Sequence, residues 1–162
     1  MNNGKKTISV ISIGFFLLTS AGSAYALPRL GPLSISGDHG GYVIEYALRM
    51  LKLKQSGRQV EFHGSCDSAC TLYLALPRNQ VCVDSQSSFT FHLPYGATGS
   101  GNKIAADYML KAYPTWVKSW INSKGGLSSR SISMDYVQAS KFLATCNHAV
   151  GVPQARIAMS GN

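Results

Sequence analysis

A serine and a histidine occupy positions at which an α/β protein can place reactive groups. Ser68 follows a strand-like run at 59–63 and begins an apolar, helix-like run. Its hydroxyl would therefore lie beside the free N–H groups and positive dipole of a helix N-terminus. His92 ends another strand-like run, 24 residues further along the chain. We predict that Ser68 is a nucleophile and that His92 accepts its proton, because an alcohol needs a neighbouring base to become a good nucleophile.

Each of these residues also has a purely structural explanation. A serine before a helix is a good N-cap, although Asp67 can fill that role here. A histidine at the end of a strand can simply bond to backbone. His39 and His63 compete with His92 for the role of base, and His39 lies in a glycine turn that would line the same cleft.

The elements that must position these residues alternate between short strands and helices. Strands are predicted at 33–36, 59–63, 80–83 and 88–92, and helices at 42–55, 68–76 and 136–144. Asn102 is predicted to cap a further helix, which Pro114 interrupts. The loop at 94–101 before this helix is predicted to be a lid over the site or a crossing connection. Glycine turns follow the first two strands. The order predicts an α/β layered domain with a largely parallel sheet and a ligand site at the carboxyl ends of its strands.

The N-terminus has the features of a signal peptide. Lys5 and Lys6 precede an apolar run at 8–18, and a small-x-small site at 24–26 predicts cleavage before Leu27. We therefore predict a signal peptide at 1–26, one domain at 27–146 and a loose tail at 147–162, in a periplasmic or secreted protein. The weaker alternative is an uncleaved anchor, and no later segment is apolar enough to span a membrane.

Export determines how the four cysteines are interpreted. Four cysteines in an oxidising compartment favour two disulfides, and three pairings are open; the cysteines are Cys66, Cys70, Cys82 and Cys146. A zinc site formed by His63 with the first three cysteines is the alternative, but its spacing matches no standard zinc motif. We predict no metal and no other cofactor.

The charge pattern argues against a nucleic-acid-binding protein. The formal charge of +8 falls to +6 without Lys5 and Lys6, and the remaining basic residues form no run or stripe. No recognised binding motif is present, so we predict no nucleic-acid partner.

Three motifs together resemble the Clp protease/crotonase superfamily. They are Gly-Asp-His-Gly-Gly at 37–41, Gly-x-Cys-x-Ser-Ala-Cys-Thr at 64–71 and Phe-His at 91–92. The chain resembles more closely the small exported ClpP-like proteins of bacteria, which share a late Tyr-Pro, Trp-Ile and Gly-Gly-Leu region, here at 113–127. The likeness covers roughly 33–146. Asp38 and His39 replace the Ser-Pro of the peptidases, and only one strand precedes the glycine turn.

The resemblance implies a small, disulfide-braced ClpP/crotonase-like domain and an exported serine hydrolase that cleaves peptide or small ester substrates. It assigns the oxyanion-binding amides to Gly41 and Ala69. The order of catalytic residues in ClpP-type peptidases favours Asp135 over Asp107 as the carboxylate that orients His92, and a Ser-His dyad stays open. A Ser-Lys mechanism through Lys111 or Lys118 ranks lower.

The rival hypothesis is a catalytically inactive binding or assembly module. The scarcity of acids and the short N-terminal part of the domain favour it. Such a module would hold a peptide in the cleft or assemble into a homo-oligomeric ring. Acyl-coenzyme A chemistry ranks third, because such thioesters are not expected outside the cytoplasm.

Overall fold

The structure, a computed structural model, describes residues 30–146 and contains two small β-sheets. The strands are β1 (Leu33–Ile35), β2 (Val60–Phe62), β3 (Ser65–Asp67), β4 (Val81–Val83), β5 (Ser88–Phe91), β6 (Ile132–Asp135) and β7 (Ala144–Thr145). One sheet has the order β1-β2-β4-β7 and is parallel throughout. The other has the order β3-β5-β6, in which β3 and β5 are parallel and β6 is antiparallel to β5. The chain is therefore the predicted α/β protein, with its parallel strands divided between two sheets.

In the described part of the chain, four α-helices and two 3-10 helices, of eight and three residues, connect the strands. They are α1 (Val43–Ser56), α2 (Gly99–Ala112), α3 (Thr115–Ser123) and α4 (Tyr136–Ala139), with 3-10 helices at Ser68–Ala75 and Arg78–Gln80. α1 ends where the sequence predicts, because Gly57 adopts the left-handed conformation that closes many helices. None of the helices between residues 30 and 146 is long and apolar enough to cross a bilayer.

Aromatic side chains join the sheets and helices into one core. Phe62 on β2 packs edge-on against Phe89 on β5, with ring centroids 4.9 Å apart, and so links the two sheets. Phe91 packs in the same way on Tyr113, which follows α2. Trp116 on α3 is also buried, as expected of a core residue. This core holds the carboxyl ends of the parallel strands in place.

Several element predictions need correction. The apolar run after Ser68 forms a 3-10 helix rather than an α-helix. α2 begins at Gly99, where the Thr98 hydroxyl accepts a bond from the Gly101 N–H, so Asn102 is not the cap. The helix predicted at 136–144 is only one turn long and gives way to β7. β3 and β6 were not predicted at all, because strands this short show no full alternation and depend on distant partners.

All four cysteines are paired. Cys66 bonds Cys70 across the start of the 3-10 helix, and Cys82 on β4 bonds Cys146 just after β7. The prediction of two disulfides is confirmed, and the zinc alternative is excluded because no thiol of the set is free. The predicted signal peptide and the predicted C-terminal tail lie outside the described residues.

Candidate functional site

Ser68 occupies a strained turn between β3 and the 3-10 helix. Its φ angle is +55°, and it is the one non-glycine residue with positive φ among residues 30–146. This conformation costs an L-residue roughly 1–2 kcal/mol, so it persists only where surrounding contacts impose it. Strain of this kind collects at functional sites, and a reactive serine on a sharp strand-to-helix turn is a known device.

Two sets of contacts hold this turn. The Cys66–Cys70 disulfide bridges it, with Cα atoms 5.3 Å apart. Inside the core, the Thr71 hydroxyl donates to the Ser68 carbonyl oxygen at 2.6 Å and bonds the Tyr113 hydroxyl at 2.5 Å. Because the carbonyl can only accept, the Tyr113 hydroxyl must donate to Thr71. Burial raises the pKa of Tyr113 and so keeps this donor protonated.

The glycine turn at 37–41 is attached to β3 through Asp38. The Asp38 N–H donates to the Ser65 carbonyl at 2.9 Å, and the Asp67 N–H donates to the Asp38 carbonyl at 2.7 Å. The Asp38 carboxylate accepts from the Gly40 N–H at 2.9 Å and from the Tyr46 hydroxyl at 2.5 Å. Burial and the bond to Asp38 raise the pKa of Tyr46. The aspartate that departs from the peptidase pattern therefore fixes the shape of the turn.

Of the two predicted oxyanion donors, Gly41 lines the same cavity as Ser68, and Ala69 follows the serine directly in the chain. A Cβ atom built on Gly40 would lie 2.9 Å from the Ala69 nitrogen and 2.9 Å from the Ser68 Cβ, so the loop that presents Gly41 is in close contact with the serine turn. Gly40 has a φ of +79°, which glycine adopts without penalty. The Gly41 N–H donates to no other group in the described part of the chain. Ala69 lies in the first turn of its helix, where N–H groups have no intrahelical partner.

His92 lies at the same end of the small sheet as Ser68. β3 and β5 are parallel with Asp67 opposite Thr90, so the next residues along the two strands are Ser68 and Phe91, and His92 follows. The backbones of paired strands are about 4.8 Å apart. Within residues 30–146 no hydrogen bond joins the Ser68 hydroxyl to the His92 imidazole.

The tautomer of His92 follows from its one side-chain bond. Its Nδ1 lies 2.8 Å from the Leu93 carbonyl oxygen, which can only accept. Nδ1 therefore carries the hydrogen, and the lone pair of Nε2 is available to take a proton. The ring packs on Tyr95 in a tilted arrangement, with ring centroids 5.5 Å apart.

The structure does not bring Asp135 to His92. Asp135 pairs with Ser88 across β5 and β6, at the opposite end of β5 from His92 and about 13 Å away along the strand. Its carboxylate accepts from the Gln138 N–H at 2.9 Å and caps α4 in a capping box. In this structure the Leu93 carbonyl, and not Asp135, orients the imidazole.

The imidazole that lines the cavity beside Ser68 is that of His39, as the sequence suggested, and His92 is not among the lining residues. The Nδ1 of His39 donates to the Asp67 carboxylate at 3.1 Å, and the His39 side chain is 88% exposed. Sequence reasoning missed this pair because Asp67 was considered only as a cap. The histidine-carboxylate contact could have been suspected from the position of Asp67 immediately before Ser68.

His63 belongs to a different cluster. Its Nδ1 lies 2.8 Å from the Asp84 carboxylate and its Nε2 lies 3.3 Å from that of Glu61. The bond to Asp84 is the main cause that raises the pKa of His63, against the opposing effect of burial. Both ring nitrogens are therefore engaged away from Ser68. Across residues 30–146, no group of three His, Cys, Asp or Glu side chains is arranged to hold a metal ion.

Ser68 opens onto a cavity of about 590 Å³. Its walls are the glycine turn, the first turns of α1 and α2, and the loop between β5 and α2, with His39, Tyr42, Ile44, Tyr95, Ile104 and Tyr108 among the lining residues. The lining is mostly apolar. Lys111 lies at the far end of α2 and Lys118 lies on α3, so neither lines this cavity.

These features define an α/β domain with a constrained serine at a strand-to-helix turn, beside a glycine loop and an apolar cavity. No family model and no curated protein matches the chain. Two solved structures to which it is similar are the ClpP1 N165D mutant from Listeria monocytogenes and a peptidase from Plasmodium falciparum. The first is 18% identical over 69% of this chain and 70% of its own, with a TM-score of 0.44. The second is 10% identical over 70% of this chain and 74% of its own, with a TM-score of 0.48. At these values we infer neither family nor activity from the likeness.

Proposed function

We propose that this protein is an exported serine hydrolase that cleaves peptide or small ester bonds. The observation that carries the proposal is the strained Ser68 at an apolar cavity that Gly41 also lines. The two disulfides support export, because such bonds persist in oxidising compartments. Assembly into a homo-oligomer stays a prediction from the sequence resemblance.

The proposed reaction has two halves. The Ser68 oxygen attacks the carbonyl carbon, the imidazole Nε2 takes the serine proton, and the oxyanion is held by the N–H groups of Gly41 and Ala69. The bond to the leaving amine or alcohol then breaks, and that group takes the proton from the imidazole. Water hydrolyses the acyl-serine ester by the same steps and regenerates Ser68.

Labelling with a fluorescent fluorophosphonate tests the nucleophile. The mature, oxidised protein should be labelled in proportion to its concentration, and Ser68→Ala should abolish the signal. Ser65→Ala is the matched control, since it removes a hydroxyl three residues away on β3. Undiminished labelling of folded Ser68→Ala would refute the proposal.

We assign the base to His92 and treat His39 as its competitor. His92 is favoured because it is half-buried and its Nδ1 hydrogen is committed to a backbone carbonyl. His92→Ala should slow the labelling rate by 10²-fold or more, the typical contribution of a general base. His39→Ala should slow the labelling rate less than tenfold. A larger effect of His39→Ala than of His92→Ala would assign the role of base to His39, with Asp67 as its partner.

The second candidate is a binding module without catalysis. The lack of a hydrogen bond between Ser68 and either imidazole within the described chain favours it. In that case the folded wild-type protein would resist the probe at every pH, while peptides would still bind the cavity.

A further inference from the structure

α1 and α2 form the two walls of a groove that extends beyond the Ser68 cavity. Both helices contribute their first turns to the cavity of about 590 Å³, and both contribute their last turns to a second cavity of about 320 Å³. Tyr108 lines both cavities, so the two lie next to each other. The helices therefore run in the same direction along one groove, from Ser68 to their C-terminal ends.

The walls of the groove expose large apolar side chains. On α1 the stripe is Ile44, Leu48 and Leu51, at 65%, 54% and 43% exposure, spaced so that they share one helix face. Ile104 on α2 is 69% exposed. Ile44 and Ile104 line the first cavity and Leu51 lines the second, and exposed apolar side chains clustered in this way are typical of interaction sites.

The far end of the groove is positively charged. Lys54 in the last turn of α1 and Lys111 in the last turn of α2 both line the second cavity. Of the other charged residues on these helices, Glu45 pairs with Arg49 and Lys103 pairs with Asp107 at 2.6 Å, whereas Lys52 has no ion pair among residues 30–146 and lines neither cavity. Among residues 30–146 neither Lys54 nor Lys111 has an ion pair. The helix dipole favours a lysine at each C-terminus, but it does not require the two lysines to line the same hollow.

We propose that the groove binds an apolar peptide segment whose free C-terminal carboxylate lies between Lys54 and Lys111. The peptide carboxylate supplies the negative charge that complements the two lysines. A fatty acyl group with its carbonyl at Ser68 would instead bring its methyl end to the two ammonium groups. Lys54 is 11 residues beyond Val43 along α1, which is about 16 Å at a rise of about 1.5 Å per residue. An extended peptide covers this length in about five residues.

The substrate class rests on the proposed function. A peptide bound in this way would present a carbonyl to Ser68 about five residues before its C-terminus. Attack would transfer the upstream segment to the serine oxygen and release a short apolar fragment, whose new amino group takes the proton from the imidazole. The protein would thus trim apolar C-termini of polypeptides.

Binding can be measured without turnover in the Ser68→Ala protein. The probe is a dansylated hexapeptide of leucine and valine, prepared with a free C-terminal carboxylate and as the C-terminal amide. Fluorescence anisotropy should show the acid binding about three- to tenfold more tightly than the amide, the effect expected of two largely exposed ion pairs. The preference should shrink as salt is raised from about 0.05 M to about 0.5 M.

The lysines are tested with a matched pair of double variants. Lys54→Gln with Lys111→Gln should remove the preference for the acid, whereas Lys52→Gln with Lys103→Gln should keep it, at the same net charge. Equal affinity for acid and amide, or a preference that survives the first double variant, would overturn the proposal. So would a lauroyl probe that displaces the peptide and binds independently of the lysines. Fluorophosphonate labelling of wild-type protein tests the hydrolase separately, so a carboxylate preference without labelling would remove only the cleavage step.

Discussion

Ser68 combines a strained backbone with contacts that act only on its backbone. The φ of +55° is imposed by the disulfide around it, by the Thr71 hydroxyl on its carbonyl and by the contact of Gly40. None of these contacts uses the serine hydroxyl. The side chain is thereby held at the cavity while its oxygen stays available to a substrate, which is the preorganisation a nucleophile needs.

Gly40 tests the fit between the glycine turn and the serine turn. Gly40→Ala would place a Cβ 2.6 Å from the Asp67 carbonyl oxygen, at a φ that alanine rarely adopts. We expect at least about tenfold slower fluorophosphonate labelling and a loss of about 1–2 kcal/mol in the free energy of unfolding. Gly37→Ala, where a Cβ meets no atom within 4 Å, should change neither. Equal labelling rates for the two variants would contradict the contact.

Tyr113 tests the buried hydrogen-bond chain behind Ser68. Tyr113→Phe removes the donor to Thr71 and leaves a buried hydroxyl without one partner, which should cost about 1–2 kcal/mol in urea denaturation. Tyr42→Phe is the control, because the Tyr42 side chain is exposed and should cost almost nothing. A Tyr113→Phe protein as stable as the wild type would show that these buried hydrogen bonds contribute nothing to the stability of the core.

At the scale of single residues, the sequence predicted which residue types form the candidate site and roughly where they lie, but it did not predict their hydrogen-bond partners. Ser68 and His92 were expected at the ends of strands, and the register of β3 and β5 puts them at one end of the same sheet. The hydrogen-bond partner of His92 could not be predicted, because every residue has a backbone carbonyl and the sequence does not indicate which one accepts the bond. The order of catalytic residues in ClpP-type peptidases, which the sequence resembles, favours Asp135, whereas the register of β6 decides its distance from His92. The bond between Thr71 and Tyr113 joins residues 42 positions apart, and only the folded core shows it.

The two disulfides act on different elements. Cys82–Cys146 fastens the edge strand β7 to β4 across a sequence separation of 64, whereas Cys66–Cys70 spans a separation of only 4 at the serine turn. Because a disulfide that closes a longer loop lowers the entropy of the unfolded chain more, Cys82–Cys146 should contribute mainly to global stability. Cys66–Cys70 should act mainly on the local shape of the serine turn.

Paired cysteine-to-alanine variants separate these roles. Removal of Cys82–Cys146 should lower the free energy of unfolding by about 4 kcal/mol, and removal of Cys66–Cys70 by about 2 kcal/mol, as measured by urea denaturation. Removal of Cys66–Cys70 should nevertheless slow fluorophosphonate labelling more, because that bond bridges the serine turn. A larger labelling defect in the Cys82–Cys146 variant would contradict this division.

Elements with strong local signals were predictable, and elements that depend on distant partners were not. α1 follows from its apolar spacing and from Gly57, both of which are local. β7 has two residues and exists because it pairs with β4 and is tied there by a disulfide. The 3-10 helix after Ser68 is almost wholly buried and apolar, so its sequence carries no amphipathic period to distinguish it from an α-helix.

Across the whole molecule, a charged cluster links the larger sheet to the loop that leads into β5. His63 follows β2 and Asp84 follows β4, and their side chains are 19% and 15% exposed. Burial alone would raise the pKa of Asp84, but hydrogen bonds from His63 and the Gln86 N–H outweigh it and lower the pKa. The pKa of His63 is raised, mainly by its bond to Asp84.

The cluster predicts a stability that depends on pH. The raised pKa of His63 stabilises the fold fully below its ordinary value of 6.5, and this contribution is lost as pH rises through the folded-state pKa. The lowered pKa of Asp84 stabilises above its ordinary value of 3.8 and is lost as pH falls. The pair should contribute most between these values. In thermal unfolding His63→Gln should lose less stability than the wild type from about pH 6 to about pH 8, and parallel curves would contradict the assignment.

The proposed nucleophile can be located directly by peptide mapping after fluorophosphonate treatment. Reduction and trypsin digestion release residues 59–78 as one fragment, which contains Ser65 and Ser68. We predict one added phosphonyl group on this fragment, with the fragment ions assigning it to Ser68. Modification of any other residue, or an unmodified fragment from folded protein, would contradict the central claim that the strained serine is the reactive group.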